Sequence, residues 1–256
     1  MSSRSSARVC PAKPREAYFF GTCLMDVLYP QAGLAAVELI EREGVRVIFR
    51  QDQTCCGQPP FNSGYREEAR AVARAQIALF PKPIPVVVPS GSCGAMMAVH
   101  YPPLFEDADE HAAARAFAAR VIEWSDFMAN VLKPSLEDRG APCSAVYHPS
   151  CHLLRELGVD GAPLALLRQL ARVELRPLAG AAECCGFGGT FAVKQPDISA
   201  AMVRDKCAAI AESAADVLVS VDCGCLMNIG GALARAGSRT RPVPLPQFIR
   251  ERVHGA

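Results

Sequence analysis

A cysteine pattern written twice constrains this chain more than any other feature. Cys23, the adjacent Cys55 and Cys56 followed by Gly57, and Cys93 form one set; Cys151, the adjacent Cys184 and Cys185 followed by Gly186, and Cys225 form another. Equivalent cysteines lie 128, 129 and 132 residues apart. An internal repeat of this kind has to be recognised before any fold is read, because both copies must adopt the same architecture.

The surroundings repeat too. Short apolar runs, AYFFGTC and AVYHPSC, lead into Cys23 and Cys151. A helical pattern follows in each copy (GLAAVELIEREG, APLALLRQLA), then a β-like run (VRVIF, RVEL) and the Cys-Cys-Gly segment. A second helical stretch covers about 65–80 and 196–213, and strongly apolar strands (PVVVPSGSC, DVLVSVDCGC) end each copy. Strands alternating with helices imply parallel sheets flanked by helices. The predicted fold is α/β: two tandem, internally duplicated Rossmann-like domains. The first spans 1–135 and the second 140–256. Segment 101–141 joins them, with a linking helix near 111–132 and a boundary in the Pro-, Gly- and charge-rich stretch 134–142.

Composition decides between uses for so many thiols. The chain has 12 cysteines among 256 residues, half of them hydrophobic, and a net charge of +1. A core this apolar needs no disulfide staples. The N-terminal stretch lacks the apolar core of a signal peptide, and no apolar run is long enough to span a membrane. The expected compartment is therefore the cytoplasm, where clustered cysteines bind metal or do redox chemistry. The balanced charge argues against a nucleic-acid partner.

Each cysteine of both sets falls after a predicted strand or at a helix start. In open parallel sheets that is the carboxyl edge, where ligands bind. Thr22 and Ser150 stand where helix caps are expected, and free N–H groups there favour thiolate over thiol. Adjacent cysteines on a strand would point to opposite faces, so the backbone must turn to bring both to one site, and the glycine after each pair permits that turn. Four thiolates suit an iron–sulfur cluster, whose negative charge nearby amides stabilise, or a tetrahedral zinc ion. The Cys-x-x-Cys knuckles common in zinc sites are absent.

The segments TCCGQPPFNSG, VVVPSGSCGAMM, YHPSCHLLRELG, ECCGFGGTFAVKQPDIS and CLMNIGG resemble the CCG cysteine-rich domain family over about 18–231, nearest its lactate-utilisation branch. The iron–sulfur subunit of glycolate oxidase and the cysteine-rich subunit of heterodisulfide reductase are more distant members. The resemblance implies one or two 4Fe-4S clusters, held by Cys23, Cys55, Cys56 and Cys93 and by Cys151, Cys184, Cys185 and Cys225. It implies an electron-transfer subunit of a multi-protein system oxidising L-lactate or another 2-hydroxy acid. The partners would be flavin or other iron–sulfur subunits, and the chain would be part of an oxidoreductase, with no complete enzyme in it alone. The wider family pattern ends in Cys-x-x-Cys, where this chain has Met96 and Asn228. That departure weighs against noncubane clusters. Two alternatives stay open: a scaffold stabilised by zinc, with zinc in the first site, and a thiol/disulfide oxidoreductase like heterodisulfide reductase. Cys223 is a candidate extra ligand.

Cys10, Cys143 and Cys207 lie outside the repeat and read as structural. His148 and His152 flank Cys151, where they would bond a sulfur, relay a proton, cap a helix or face solvent. Asp52 and Asp222 read as turn residues. Trp124, Phe127 and Met128 suit the buried face of the linking helix. The run CGFGGT does not fit a dinucleotide or phosphate loop.

Overall fold

The computed structural model describes residues 12–255; Cys10 lies outside them. Each half is a four-stranded parallel sheet. The first half runs β1 (Glu16–Phe19), α1 (Cys23–Leu28), α2 (Pro30–Arg42), β2 (Arg46–Phe49), α3 (Gln58–Asn62), α4 (Arg66–Leu79), β3 (Val86–Val88), α5 (Gly91–Ala95), α6 (Ala108–Ala118), β4 (Val121–Glu123) and α7 (Trp124–Asp126). The second runs β5 (Cys143–His148), α8 (Cys151–Arg155), α9 (Gly161–Leu167), β6 (Val173–Arg176), α10 (Phe191–Lys194), α11 (Pro196–Ser213), β7 (Val217–Ser220), α12 (Cys223–Arg235), β8 (Arg241–Pro244) and α13 (Leu245–His254). Strand orders are β2-β1-β3-β4 and β6-β5-β7-β8. The duplicated α/β architecture expected from the sequence is present.

The linking helix is not. Over 108–132 the chain forms α6, then β4, then α7 and a π-helical turn, Phe127–Leu132. Val121, Ile122 and Glu123 pair with Val86, Val87 and Val88 and complete the first sheet. The Glu123 carboxyl group then caps α7, accepting from the N–H groups of Ser125 and Asp126 at 2.8 and 3.2 Å. An edge strand of three residues is too short for periodicity to distinguish from helix. Trp124, Phe127 and Met128 are buried, as expected, and Trp124 Nε1 donates to the Ala36 carbonyl at 3.1 Å.

Alternation along the strands divides the core. Ala17 and Phe19 of β1 and Val87 of β3 face one way, and Ala145, Tyr147, Val217 and Val219 of the second sheet join the same apolar cluster. Tyr18, Phe20, Val86 and Val88 face the opposite layer, with Cys56 and Cys93; Val146 and Leu218 do the same with Cys185 and Cys225. One core thus runs between the halves, and each sheet keeps an outer layer that contains its own thiols.

A pseudo-twofold relation connects the halves. Helix α5 packs on α8 as α12 packs on α1, and α2 meets α13 as α9 meets α7 and the π-helical turn. Small residues permit the close α5–α8 approach: a Cβ on Gly91 would lie 2.8 Å from Leu153 Cβ.

Candidate functional site

The two cysteine sets converge at equivalent places. Cys23 and Cys151 open α1 and α8, directly after the central strands β1 and β5, and Cys93 and Cys225 lie in the first turns of α5 and α12, after β3 and β7. These are the carboxyl ends of the two strands between which the chain order reverses, where doubly wound sheets bind ligands. The adjacent pairs arrive from the far side, in the loops after β2 and β6. Gly57 and Gly186 adopt φ of 84° and 82°, a left-handed turn that L side chains disfavour.

In the first site Cys56 and Cys93 are buried, with Sγ atoms 3.3 Å apart. Cys23 and Cys55 are half-buried, and a cleft of about 440 Å³ lined by both, with Asp26, Phe49 and Gln53, opens the site to solvent. In the second site Cys185 and Cys225 are buried 3.1 Å apart, and Cys151 and Cys184 lie 4.0 Å apart. All eight sequence-predicted cysteines thus fall into two groups of four. Tyr101 Oη donates to the Cys56 carbonyl at 2.9 Å, and Asn228 Nδ2 to the Cys185 carbonyl at 2.8 Å. Asn228 thus braces the loop that carries a thiol pair.

In each quartet one thiol is much the most acidic. Thiol donation from Cys23 and Cys56, then the N–H groups of Gly57 and Cys56, hold Cys55 down to about 3. Donation from Cys151 and Cys185, then the Gly186 N–H at 3.4 Å, hold Cys184 down to about 2. Cys23 and Cys151 are pushed up, first because each donates its proton to that thiolate and second by burial. A soft, already partly deprotonated thiol quartet is the donor chemistry of zinc or iron–sulfur sites.

The other residues singled out in the sequence separate clearly. Cys223 packs against Met25 and Ala32 where α12 meets the first half; it occupies the position equivalent to Gly91 and turns toward the other half. Thr22 and Ser150 stand at the N-caps of α1 and α8, but neither side chain caps its helix. Ser150 Oγ turns instead to Asp222 Oδ2, 3.5 Å away. Asp222 is buried between the halves and also accepts from Ser90 Oγ at 3.1 Å and the Ser92 N–H at 3.0 Å. Cys143 Sγ accepts from Arg252 Nη1 at 3.6 Å, and Cys207 Sγ donates to the Ile229 carbonyl at 3.9 Å. Asp52 is paired with Arg50 on the surface.

The histidines divide. His152 is partly exposed, with Nδ1 3.5 Å from Cys151 Sγ and Nε2 3.3 Å from Gln58 Nε2 of the first half. His148 is wholly buried at the end of β5, and its ligand atom lies with those of Cys185 and Cys225, all within 4.8 Å of one another. Burial, and Lys206 behind it, push His148 down to about 4, so it is neutral. Lys206 on α11 was not singled out from the sequence; nothing but its place in an otherwise apolar helical stripe signals its burial.

Fold and site together define a duplicated α/β protein with one four-thiol centre at the carboxyl edge of each sheet. The CCG cysteine-rich domain family matches residues 17–98 and again 145–230, and the chain belongs to it. It is 47% identical over 236 residues to the lactate utilization protein A of Geobacillus kaustophilus, covering 91% of this chain and 98% of that one. It is 48% identical over 227 residues to that of Bacillus licheniformis, covering 88% and 93%. A crystal structure of a hypothetical protein from Helicobacter pylori shares the fold, with a TM-score of 0.65 at 10% identity. That match covers 95% of this chain, which spans 50% of the other.

Proposed function

We propose that the chain is the iron–sulfur subunit of a cytoplasmic, multi-protein system that oxidises L-lactate or a related 2-hydroxy acid. The observation that carries this reading is the paired thiol quartet, one at the switch point of each sheet. The relatives' names supply the substrate class.

Cys23, Cys55, Cys56 and Cys93 would hold one cluster and Cys151, Cys184, Cys185 and Cys225 the other, and a bound 4Fe-4S cluster supplies one-electron acceptance and donation. The protein's own part is to hold eight thiols at fixed places, offer amide N–H groups to sulfur, and bury Cys56, Cys93, Cys185 and Cys225 away from water. Oxidising a 2-hydroxy acid releases two electrons, so a carrier of this kind needs a partner subunit that handles the substrate, a flavin protein or another iron–sulfur protein. The half-exposed Cys23 and Cys55 mark the side through which the first site would communicate with one.

A second reading has a specific observation in its favour. Thiol separations of 3.1–4.0 Å bracket the ~3.8 Å that tetrahedral geometry gives for Zn–S bonds of about 2.3 Å. On that reading the centres are zinc clamps that shape a scaffold for the same partners.

Anaerobic purification followed by iron, acid-labile sulfide and zinc determination decides between them. About eight iron and eight sulfide per chain, for two four-iron clusters, with absorbance in the visible, supports electron transfer. Stoichiometric zinc without sulfide sinks it in favour of the scaffold.

A further inference from the structure

The two centres are built on one plan, so their differences are informative. Position 20 precedes Cys23 by three residues and position 148 precedes Cys151 by three. The first is Phe20, wholly buried in the apolar cluster with Cys56 and Cys93. The second is His148, equally buried beside Cys185 and Cys225. The fold therefore accepts an apolar ring here, and nothing about β-strand packing demands an imidazole.

His148 is also anomalous in its own surroundings. Neither ring nitrogen has a hydrogen-bond partner, although both are buried. A buried polar group left unpaired costs on the order of 1–3 kcal/mol, and buried histidines in native proteins have partners. What stands placed to use a ring nitrogen is whatever Cys185 and Cys225 hold. Imidazole nitrogen is the commonest protein ligand of transition metals.

A second pair differs in the same sense. Gly57 faces Val72 and Ala69 of α4, and Gly186 faces Met202 and Ser199 of α11, so Gln76 and Lys206 are counterparts. Gln76 Nε2 bonds Thr54 Oγ1 at 2.8 Å. Lys206 donates to the Gly180 carbonyl and faces the thiols of the second site. The second centre is thus the one with nitrogen donors and a buried cation beside it.

We propose that His148 is a metal ligand of the second centre, joining Cys185 and Cys225 in place of one of the half-exposed thiols Cys151 and Cys184, so that this centre is a mixed nitrogen–sulfur site while the first is all-thiol. This rests on reading the two quartets as metal centres. The inequivalence gives the centres different affinities and different electronic character, as two relays in one electron path or two clamps of different selectivity require.

Cobalt(II) loaded anaerobically into the full chain tests this without any partner or activity. High-spin cobalt shifts the proton on the ligating imidazole's other nitrogen far outside the usual NMR range, and that proton exchanges with solvent. The native chain should show thiolate-to-cobalt charge-transfer bands and one such proton. His148→Phe should lose the proton and keep the bands, whereas His152→Gln should keep both. Phe20→His should add a second shifted proton, a gain that misfolding cannot mimic. Thiolate bands with no shifted proton in the native chain, or a proton that survives His148→Phe, overturn the mixed site and leave the metal centres standing. Absence of thiolate bands in the native chain overturns the metal reading itself.

Discussion

Ser90 and Asp222 are counterparts in the two halves, and they touch: Ser90 Oγ donates to Asp222 Oδ2 at 3.1 Å. Each stands three residues before the last cysteine of its set and caps the helix carrying it. Ser90 accepts from the Cys93 N–H at 3.3 Å, and Asp222 from the Gly224 N–H at 3.1 Å. Contact between counterparts places the pseudo-twofold relation between these two side chains, so one buried carboxylate ties the entry turns of both thiol centres together.

That carboxylate also accepts from the Ser92 N–H. Asp222→Ala leaves several buried donors without a partner and is expected to cost about 3–5 kcal/mol, as removing one side of a buried charged network does. Asp222→Asn keeps one acceptor oxygen and is expected to cost about 1–3 kcal/mol. Urea unfolding monitored by circular dichroism checks the order. Equal, small losses in both variants would mean that the bridge contributes little.

Glu123 gives the fold a dependence on pH. Burial pushes its carboxyl up to about 8, against the opposing pull of the Ser125 hydroxyl and the N–H groups of Asp126 and Ser125. The folded state therefore favours the protonated acid. Its contribution is fully present below the unfolded value of about 4.5 and is lost as pH rises toward about 8. The slope reaches ~1.4 kcal/mol per pH unit. Glu123→Gln, whose carbonyl can still cap α7, should flatten that part of the profile relative to the native chain. Parallel stability–pH curves from 5 to 8 for the two proteins would contradict this.

The sequence made the duplication, the doubly wound architecture and the grouping of the eight cysteines legible because each left a periodic signal. Strand and helix alternation set the class, and the glycine after each thiol pair marked the turn. Strand β4 was not legible, since three residues flanked by helical patterns carry no period of their own. The roles of Asp222 and Cys223 depend on which faces of α12 meet α1 and α5 of the other half, a contact between segments far apart in the chain. His148 stood in plain view beside Cys151. Its full burial and unpaired nitrogens are tertiary facts; only its alignment with Phe20 hinted that the two sites differ.

Arg252 and Asp138 fasten α13 to the connection between the halves. Nε of Arg252 donates to Asp138 Oδ1 at 2.8 Å, and both side chains are nearly inaccessible. Burial alone would raise the Asp138 carboxyl, but Arg252 and the N–H groups of Arg172 and Gly140 outweigh it and hold the group below its usual value. A depressed carboxylate stabilises the fold above its unfolded value, near 3.9, and that contribution disappears as pH falls through the lower folded value. Arg252→Ala strands the carboxylate and is expected to cost about 3–5 kcal/mol at neutral pH. Its deficit against the native chain should shrink below about pH 4. An unchanged deficit in acid would show that lost packing, not the charge pair, is responsible.

Gly57 and Gly186 make the same turn in different surroundings, so the same substitution should act unequally. Both have φ above 80°, and the left-handed conformation costs an alanine roughly 1–2 kcal/mol in either place. A Cβ at position 57 meets only the Val72 side chain and the Ala69 carbonyl, no closer than 3.2 Å. At position 186 it falls 2.8 Å from the Ser199 carbonyl, and helix backbone cannot step aside without moving α11. Gly186→Ala must therefore displace the loop that carries Cys184 and Cys185, whereas Gly57→Ala is absorbed by a rotamer shift. The expected outcome is a lower midpoint of thermal unfolding for Gly186→Ala than for Gly57→Ala. Metal content after anaerobic loading should fall by about half in the first variant, with one of the two metal centres disabled, and stay near native in the second. The opposite ranking would place the tighter constraint on the first loop.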